Sequence, residues 1–173
     1  MDSKVILNAA KFVKKNYRNT LERLSDSMAD AEPLTVEDLN LLHDETICEF
    51  GGTPEIRDAS LLESIAVSPS QSVFGQDLYP TLLDKAAKYI LDFARYQVYV
   101  DGNKRMGLAA ATLLLAQNGI KLTLDENEAY NIVMDIATGK LDDIEVVADA
   151  LKANYEFLPE SVEEMEEIED DFQ

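Results

Sequence analysis

The sequence predicts an all-α fold, a helical bundle with one small β-hairpin. Three observations support this prediction. Apolar residues recur at helical spacing through most of the chain, separated by helix-capping side chains and helix-ending glycines. The segment "MGLAAATLLLAQ" at 106–117 is apolar on all sides, which is typical of a helix at the centre of a bundle. Residues 69–80 mix turn formers with apolar residues and predict a short hairpin or flap.

The predicted helices follow one another with short breaks. In order, they cover 3–28, a segment capped by Thr35 and ended by "FGGTPE" (50–55), 56–68, 81–96, 103–117, a segment between Asp125 and Gly139, and 142–155. Thr35 stands three residues before Asp38, as in a capping box, and Asp58 or Ser60 caps the third helix. Asn118-Gly119 is a typical helix stop, and "IKLTL" (120–124) is a candidate short strand.

Composition and charge exclude several classes of function. The chain has 173 residues, 46% of them hydrophobic, which suits one domain with its own core. The formal net charge of −19 argues against nucleic-acid binding, because phosphate contacts need clustered Lys and Arg. No stretch reaches the ~18 consecutive apolar residues of a membrane span. The single cysteine, Cys48, fits a reducing, cytoplasmic setting and lies in an apolar helical pattern that predicts burial.

The stretch "DGNKR" (101–105) has the physical features of a phosphate site. It falls where a helix begins, so its first N–H groups lack partners within the helix and the helix dipole favours an anion there. Gly102 allows a ligand to approach the backbone, while Lys104 and Arg105 add two positive charges. Asp101 can hold a Mg²⁺ ion that bridges phosphates. Spacing alone also fits a plain turn, with Asn103 as a cap and the two cations in solvent.

Residues 97–105, "QVYVDGNKR", resemble the Fic/Doc signature H-x-F-x-[D/E]-G-N-[G/K]-R, and "NKR" resembles its Doc (death-on-curing) branch. Further collinear segments are similar to Doc proteins: "LTVEDLNLLHDETICEFGG", "IRDASLLESI", "FGQDLYPTLLDKAAKYI", "LLLAQNGIKL" and "IATGKLDDIEVVADAL". The resemblance implies a Fic/Doc helical domain at 34–157. A helical extension at 1–33 precedes it, and an acidic tail at 158–173 follows it.

The resemblance also implies a chemistry, the transfer of part of a nucleotide to a hydroxyl of a target protein. Asp101 would hold Mg²⁺, the backbone at Gly102, Asn103 and Lys104 would cradle phosphates of ATP or another nucleotide, and Lys104 and Arg105 would bind them. Doc-type toxins transfer a phosphoryl group from ATP to a translation elongation factor and pair with an antitoxin. Leu108 stands where AMP-transferring relatives have a second arginine, which favours phosphoryl over AMP transfer. Residues 69–80 would be the flap at which the target docks by strand addition.

Gln97 stands where the family has its general base, a histidine. An amide cannot accept a proton near pH 7, and loss of a general base typically costs about 10²–10⁴-fold in rate. His43, the only histidine, is predicted to be structural or on a helix surface. Tyr96 and Tyr99 are too weakly basic, and of the nearby carboxylates Asp92 and Asp101, the second is needed for metal. Three explanations of Gln97 stay open: a natural inactivating change, an engineered one, or a loose transfer that needs little help from a base.

The leading prediction is therefore a Doc-like toxin module with impaired phosphoryl transfer. The alternative is a catalytically inactive Fic/Doc pseudoenzyme that binds a nucleotide or a protein partner as a regulator. A helical scaffold without a nucleotide site is the least favoured reading. The residues from Pro159 onward include eight acidic and no basic side chains. They are either a solvated tail or a segment that folds back on Lys104 and Arg105 or on the basic N-terminal helix.

Overall fold

A computed structural model of the protein describes residues 31–158. The predicted N-terminal helix at 3–28 and the acidic residues from 159 onward lie outside the described residues. Within them, the elements run in chain order α1 (Val36–Phe50), α2 (Ala59–Val67), a 3₁₀ turn (Ser68–Ser70), β1 (Ser72–Val73), β2 (Gln76–Asp77), α3 (Leu82–Arg95), α4 (Asn103–Gln117), β3 (Ile120–Leu122), α5 (Glu126–Ala137), α6 (Ile144–Lys152) and β4 (Tyr155–Phe157). The predicted all-α fold with a small hairpin is confirmed.

Side-chain caps set the starts of most of these helices. Thr35 and Asp38 form the predicted capping box at α1, and Thr81 and Asp84 form another at α3. Asp58 caps α2, so of the two candidate caps the aspartate is the one used. None of the helices described between residues 31 and 158 has both the length and the apolar character needed to cross a bilayer.

Helix α4 lies at the centre of the bundle and packs most closely on α3. Twelve of its residues are buried, as predicted from a segment that is apolar on all sides. Gly107 makes the close packing possible, because a Cβ at this position would lie 3.1 Å from the Ile90 carbonyl oxygen and 3.2 Å from its Cα. The two helices therefore approach each other at the level of their backbones.

The flap forms as a very short hairpin. Strands β1 and β2 pair antiparallel with Ser72 opposite Asp77 and Val73 opposite Gln76. Phe74 and Gly75 make the two-residue turn, and both have positive φ, 52° and 77°. This turn suits hairpins because its twist matches that of the strands. The backbone at Phe74, the first residue of the turn, is strained, however, because phenylalanine disfavours the left-handed region.

Two of the predictions made from the sequence were wrong. The last helix was predicted to reach Tyr155, but α6 ends at Lys152 and Tyr155–Phe157 form β4, which pairs with β3. Aromatic residues favour strands, and β3 offers an edge with which they can pair. Cys48 is exposed rather than buried. Two polar residues, His43 and Thr46, lie on the buried face of α1, and the apolar pattern did not show that they would be buried. The other buried residues of α1 are Leu39, Leu42 and Ile47.

Candidate functional site

The loop between α3 and α4, residues 96–102, carries most of the predicted site. Its backbone is held by the segment that precedes α2. The carbonyl of Val98 accepts hydrogen bonds from the N–H groups of Arg57 (2.8 Å) and Asp58 (3.1 Å), and the N–H of Val100 donates to the carbonyl of Glu55 (2.9 Å). These bonds fix the path of the loop on one side.

Asn103 holds the same loop from the other side. Its side-chain oxygen accepts a hydrogen bond from the N–H of Tyr99, and its side-chain nitrogen donates to the Tyr99 carbonyl, both at 2.8 Å. The side chain is buried. The Asn103 side-chain amide therefore stabilises the loop. Only the backbone N–H of this residue is left as a hydrogen-bond donor for a ligand.

The N-terminus of α4 differs from those of the other described helices. Side chains of Thr35, Asp58, Thr81, Asp125 and Asp143 cap the other five, whereas α4 begins at Gly102, which has no side chain and a φ of 85°. The first backbone bond is Met106 N–H to the Gly102 carbonyl (2.9 Å). Within residues 31–158, the N–H groups of Asn103, Lys104 and Arg105 have no hydrogen-bond acceptor. Three donors at a helix N-terminus are thus available to an anion.

Asp101 lies directly before these donors and is partly buried. Its Oδ2 accepts a hydrogen bond from the N–H of Thr53 (2.9 Å), which orients the carboxylate, while Oδ1 has no hydrogen-bond partner among the described residues. In residues 31–158, no group of three or more His, Cys, Asp or Glu side chains could hold a metal by itself. A lone carboxylate fits a Mg²⁺ ion that arrives with phosphates, since Mg²⁺ keeps water and phosphate oxygens and needs only one or two carboxylates.

His43 connects helix α1 to this loop. Its Nε2 donates a 2.8 Å hydrogen bond to the backbone carbonyl of Asp101, which fixes the tautomer because a carbonyl can only accept. The imidazole stacks on the Tyr99 ring with 3.6 Å between centroids and a 6° interplanar angle. Burial lowers the pKa of His43, so the ring is neutral at pH 7. Of the two predicted alternatives, a structural residue or one on the helix surface, the structure shows the first, because His43 is buried and hydrogen-bonded.

Two of the other groups considered as bases, Tyr99 and Asp92, are also engaged. The Tyr99 hydroxyl donates to Asn40 Oδ1 (3.2 Å), and burial raises the pKa of Tyr99, which makes it a weaker source of phenolate. Asp92 is buried, with Oδ1 2.7 Å from Lys88 Nζ and Oδ2 accepting from the Ser68 hydroxyl at 2.7 Å. Both residues are therefore committed to the fold.

Gln97 is exposed and makes no hydrogen bond to any residue between 31 and 158. It directly follows Tyr96, whose N–H donates to the carbonyl of Asp92 (2.9 Å). Since Asp92 also contacts Ser68 at the base of the flap, the flap begins about one helical turn from the loop that carries Gln97. The Gln97 side chain is thus exposed in the loop that leads from α3 to α4.

Lys104 and Arg105 supply positive charge in the first turn of α4. Neither forms an ion pair with the part of the chain that the structure describes. Lys104 is exposed. The Arg105 guanidinium lies 5.7 Å from the centre of the Phe50 ring and 3.4 and 3.5 Å from the Gly51 carbonyl oxygen. No carboxylate of residues 31–158 therefore competes with a phosphate for either cation.

The contribution of residues 51–53 was missed from the sequence. "FGGTPE" was interpreted only as a helix stop, yet Thr53 supplies the N–H that orients Asp101 and Gly51 supplies the carbonyl beside Arg105. Gly52 has a φ of 122°, and a Cβ there would lie 2.9 Å from Ile47 Cδ1 and 3.1 Å from Asp101 Cβ. A double glycine is the signal that could have indicated this close approach.

Comparisons with known proteins agree with this geometry. A family model described as "Fic/DOC family" matches residues 33–115, which include the flap and the loop. The chain is 40% identical over 95 residues to "Toxin Doc" of Mycolicibacterium smegmatis, covering 54% of this chain and 73% of that protein. It is 31% identical over 122 residues to "Protein kinase doc" of Escherichia phage P1, covering 70% of this chain and 94% of that protein.

Proposed function

The chain belongs to the Fic/DOC family, and from this premise we propose that it is a Doc-like toxin domain that transfers a phosphoryl group from ATP to a hydroxyl of a target protein. The observation that carries the proposal is the uncapped N-terminus of α4. Among residues 31–158, it combines three backbone donors that have no acceptor, one oriented carboxylate at Asp101 and two cations, Lys104 and Arg105, that form no ion pair. The name of the phage P1 relative, a protein kinase, supports phosphoryl transfer.

Each part of the site has a task in this reaction. The N–H groups at the start of α4 bind phosphate oxygens of ATP, and Arg105 can bind two of them at once through its guanidinium. Asp101 would hold Mg²⁺, which, when bound, neutralises charge on the phosphates. Thr53 and His43 keep Asp101 in place through its carboxylate and its carbonyl. Stabilisation of the charge that develops during transfer comes from these fixed dipoles and cations.

In the transfer step, the target hydroxyl oxygen bonds to the γ-phosphorus, the bond from that phosphorus to the bridging oxygen breaks, and ADP leaves. The hydroxyl proton must go to a base. Gln97 cannot accept it, so the proton passes to water or to a phosphate oxygen. We therefore expect transfer to be slower by about 10²–10⁴-fold than with histidine at this position. A loose transition state limits the loss, because the hydroxyl carries little positive charge before bond cleavage.

We propose two protein partners. The target is a translation factor that docks at the flap, residues 69–80, by pairing its backbone with the exposed hairpin. The second partner is an antitoxin, since relatives of this chain are Doc toxins.

The second candidate function is a catalytically inactive regulator. The observation that favours it is that Gln97 is exposed and unbonded within the described residues, so its amide has no evident task in holding the fold. Such a protein would keep the anion site and bind a nucleotide or a protein partner without turnover.

Labelled ATP separates the two functions. The protein and its Gln97→His variant are incubated with γ- or α-labelled ATP, Mg²⁺ and a bacterial lysate, with Gln97→Ala as the matched control. Transfer of γ label by the unchanged protein, rising about 10²–10⁴-fold in the histidine variant, is the result that we expect. Transfer only by the histidine variant indicates the inactive regulator, and α label on the target indicates AMP transfer. No transfer and no nucleotide binding by any variant contradicts both functions.

A further inference from the structure

The flap has too little structure of its own to hold one orientation. Its strands contain two residues each, and every residue in them is exposed. One further bond, from the Leu78 N–H to the Gln71 carbonyl (3.0 Å), closes the hairpin. A two-stranded hairpin of this length is marginal in water. Its orientation must therefore come from contacts at its base.

Lys85 of α3 contacts both limbs of the flap. Its Nζ lies 3.3 Å from the carbonyl oxygen of Pro69, before the hairpin, and 3.4 Å from Asp77 Oδ2 on the returning strand. The lysine side chain is only 12% exposed, compared with 53% for Asp77. A lysine with a largely buried side chain thus links the chain that enters the hairpin to the chain that leaves it.

Lys88, one turn further along α3, makes a second link of the same kind. Its Nζ lies 2.7 Å from Asp92 Oδ1, and Asp92 Oδ2 accepts from the hydroxyl of Ser68 on the entering limb. The same ammonium lies 5.5 Å from the centre of the Tyr79 ring on the leaving limb. Cation–π contacts of this kind strengthen as the cation loses water, and the Lys88 side chain is 20% exposed.

We propose that Lys85 and Lys88 are positioning residues that hold the flap in one orientation against α3. Without them, the hairpin would sample many orientations, and a protein that pairs with its edge would have to order it first. The consequence for a protein substrate rests on the proposed function, whereas the consequence for flap motion does not.

The test uses amide hydrogen exchange in peptides that cover residues 71–79. The variants are Lys85→Met and the pair Lys88→Met with Asp92→Asn, which avoids leaving a buried carboxylate unpaired. Lys121→Met is the matched control, because it also removes a lysine ion pair, 2.6 Å from Glu156, in the β3–β4 sheet. We expect about tenfold or faster flap exchange in both test variants, with the rest of the chain unchanged. Lys85→Arg, which keeps the charge, should exchange like the parent.

Kinetics on the Gln97→His background supply a second readout. With γ-labelled ATP and a purified bacterial translation elongation factor, the KM for the protein substrate should rise while kcat and ATP affinity stay within about twofold. Unchanged flap exchange in both variants would overturn the proposal. Faster exchange with an unchanged KM would support the restraint of the flap and overturn its consequence for the protein substrate. If no variant transfers label, the proposed function fails, and exchange alone decides whether the two lysines hold the flap.

Discussion

His43 Nε2 donates a hydrogen bond of 2.8 Å to the backbone carbonyl of Asp101, across 58 residues of sequence. The same imidazole lies flat on the Tyr99 ring. A side chain of α1 therefore fixes the carbonyl of the residue that we propose as the metal ligand, and it does so as a neutral donor. The only histidine of the chain thus helps to hold the backbone of a carboxylate-bearing residue in place.

Replacing His43 by Phe should separate its two contacts. Phenylalanine keeps a flat ring against Tyr99 but removes the donor, which leaves the Asp101 carbonyl without its partner. An unsatisfied buried group costs about 1–3 kcal/mol, and we expect the free energy of unfolding to fall by that amount. Urea unfolding measures the free energy of unfolding. The control is Asp44→Asn, a substitution at the exposed residue next to His43. An unchanged free energy would show that water replaces the imidazole at no cost.

Replacing Asp101 by Asn should remove the dependence of nucleotide binding on Mg²⁺. Asparagine can still accept from the Thr53 N–H, so the loop should keep its fold while the negative charge is lost. Even outer ligands of metals are typically worth about 10–100-fold in metal affinity, so we expect at least that loss for ATP binding in the presence of Mg²⁺. Calorimetric titration with and without Mg²⁺ measures it, and Asp142→Asn is the control. Equal Mg²⁺ dependence in parent and variant would exclude Asp101 as a ligand.

Replacing Gly107 by Ala should destabilise the protein despite the better helix propensity of alanine. The change gains roughly 0.5–1 kcal/mol in a helix interior. The added methyl group, however, would lie 3.1 Å from the Ile90 carbonyl oxygen, and overpacking costs typically about 1–3 kcal/mol. We expect a net loss in the free energy of unfolding, measured in urea. A more stable variant would show that α3 and α4 can separate slightly without cost.

Replacing Tyr89 by Phe should weaken the fold and alter its response to alkali. The Tyr89 hydroxyl accepts from the N–H of buried Leu34 (3.0 Å) and donates to the Ala66 carbonyl (2.8 Å). Burial raises the pKa of Tyr89 above its ordinary value, so the folded state keeps the proton longer than the unfolded state does. The resulting stability is present below about pH 10 and is lost as the pH rises through the folded pKa.

We therefore expect Tyr89→Phe to be less stable at pH 8 by about 1–3 kcal/mol, because the Leu34 N–H loses its partner. Between pH 8 and pH 10.5 (roughly half a unit above the ordinary tyrosine pKa), its stability should fall less steeply than that of the parent. Tyr99, whose pKa is also raised by burial, keeps part of the dependence. Urea unfolding at both pH values measures the difference, and Tyr130→Phe, at an exposed position, should behave like the parent. Parallel pH profiles for Tyr89→Phe and the parent would contradict the assignment.

The sequence alone determined features that depend on local chemistry. Capping residues such as Thr35 predicted where helices begin, and the apolar run at 106–117 predicted a central helix. Both predictions depend only on residues that are neighbours in the sequence. The prediction of a phosphate site at 101–105 also came from a local pattern, a glycine before a helix with two cations. The interpretation of Gln97 as a departure from the family signature came from the resemblance, and both stay predictions.

Only the tertiary structure decided features that depend on residues far apart in the chain. The pairing of Tyr155–Phe157 with β3 ended a helix early, and the inward position of His43 left Cys48 exposed. The tertiary structure also decided that the N–H of Thr53 bonds to the Asp101 carboxylate and that the lysines of α3 contact the flap. Periodicity shows which face of a helix is apolar, but it does not show which distant backbone group will meet a polar side chain. Buried polar side chains form hydrogen bonds with the partners that the packing of the folded chain brings within reach.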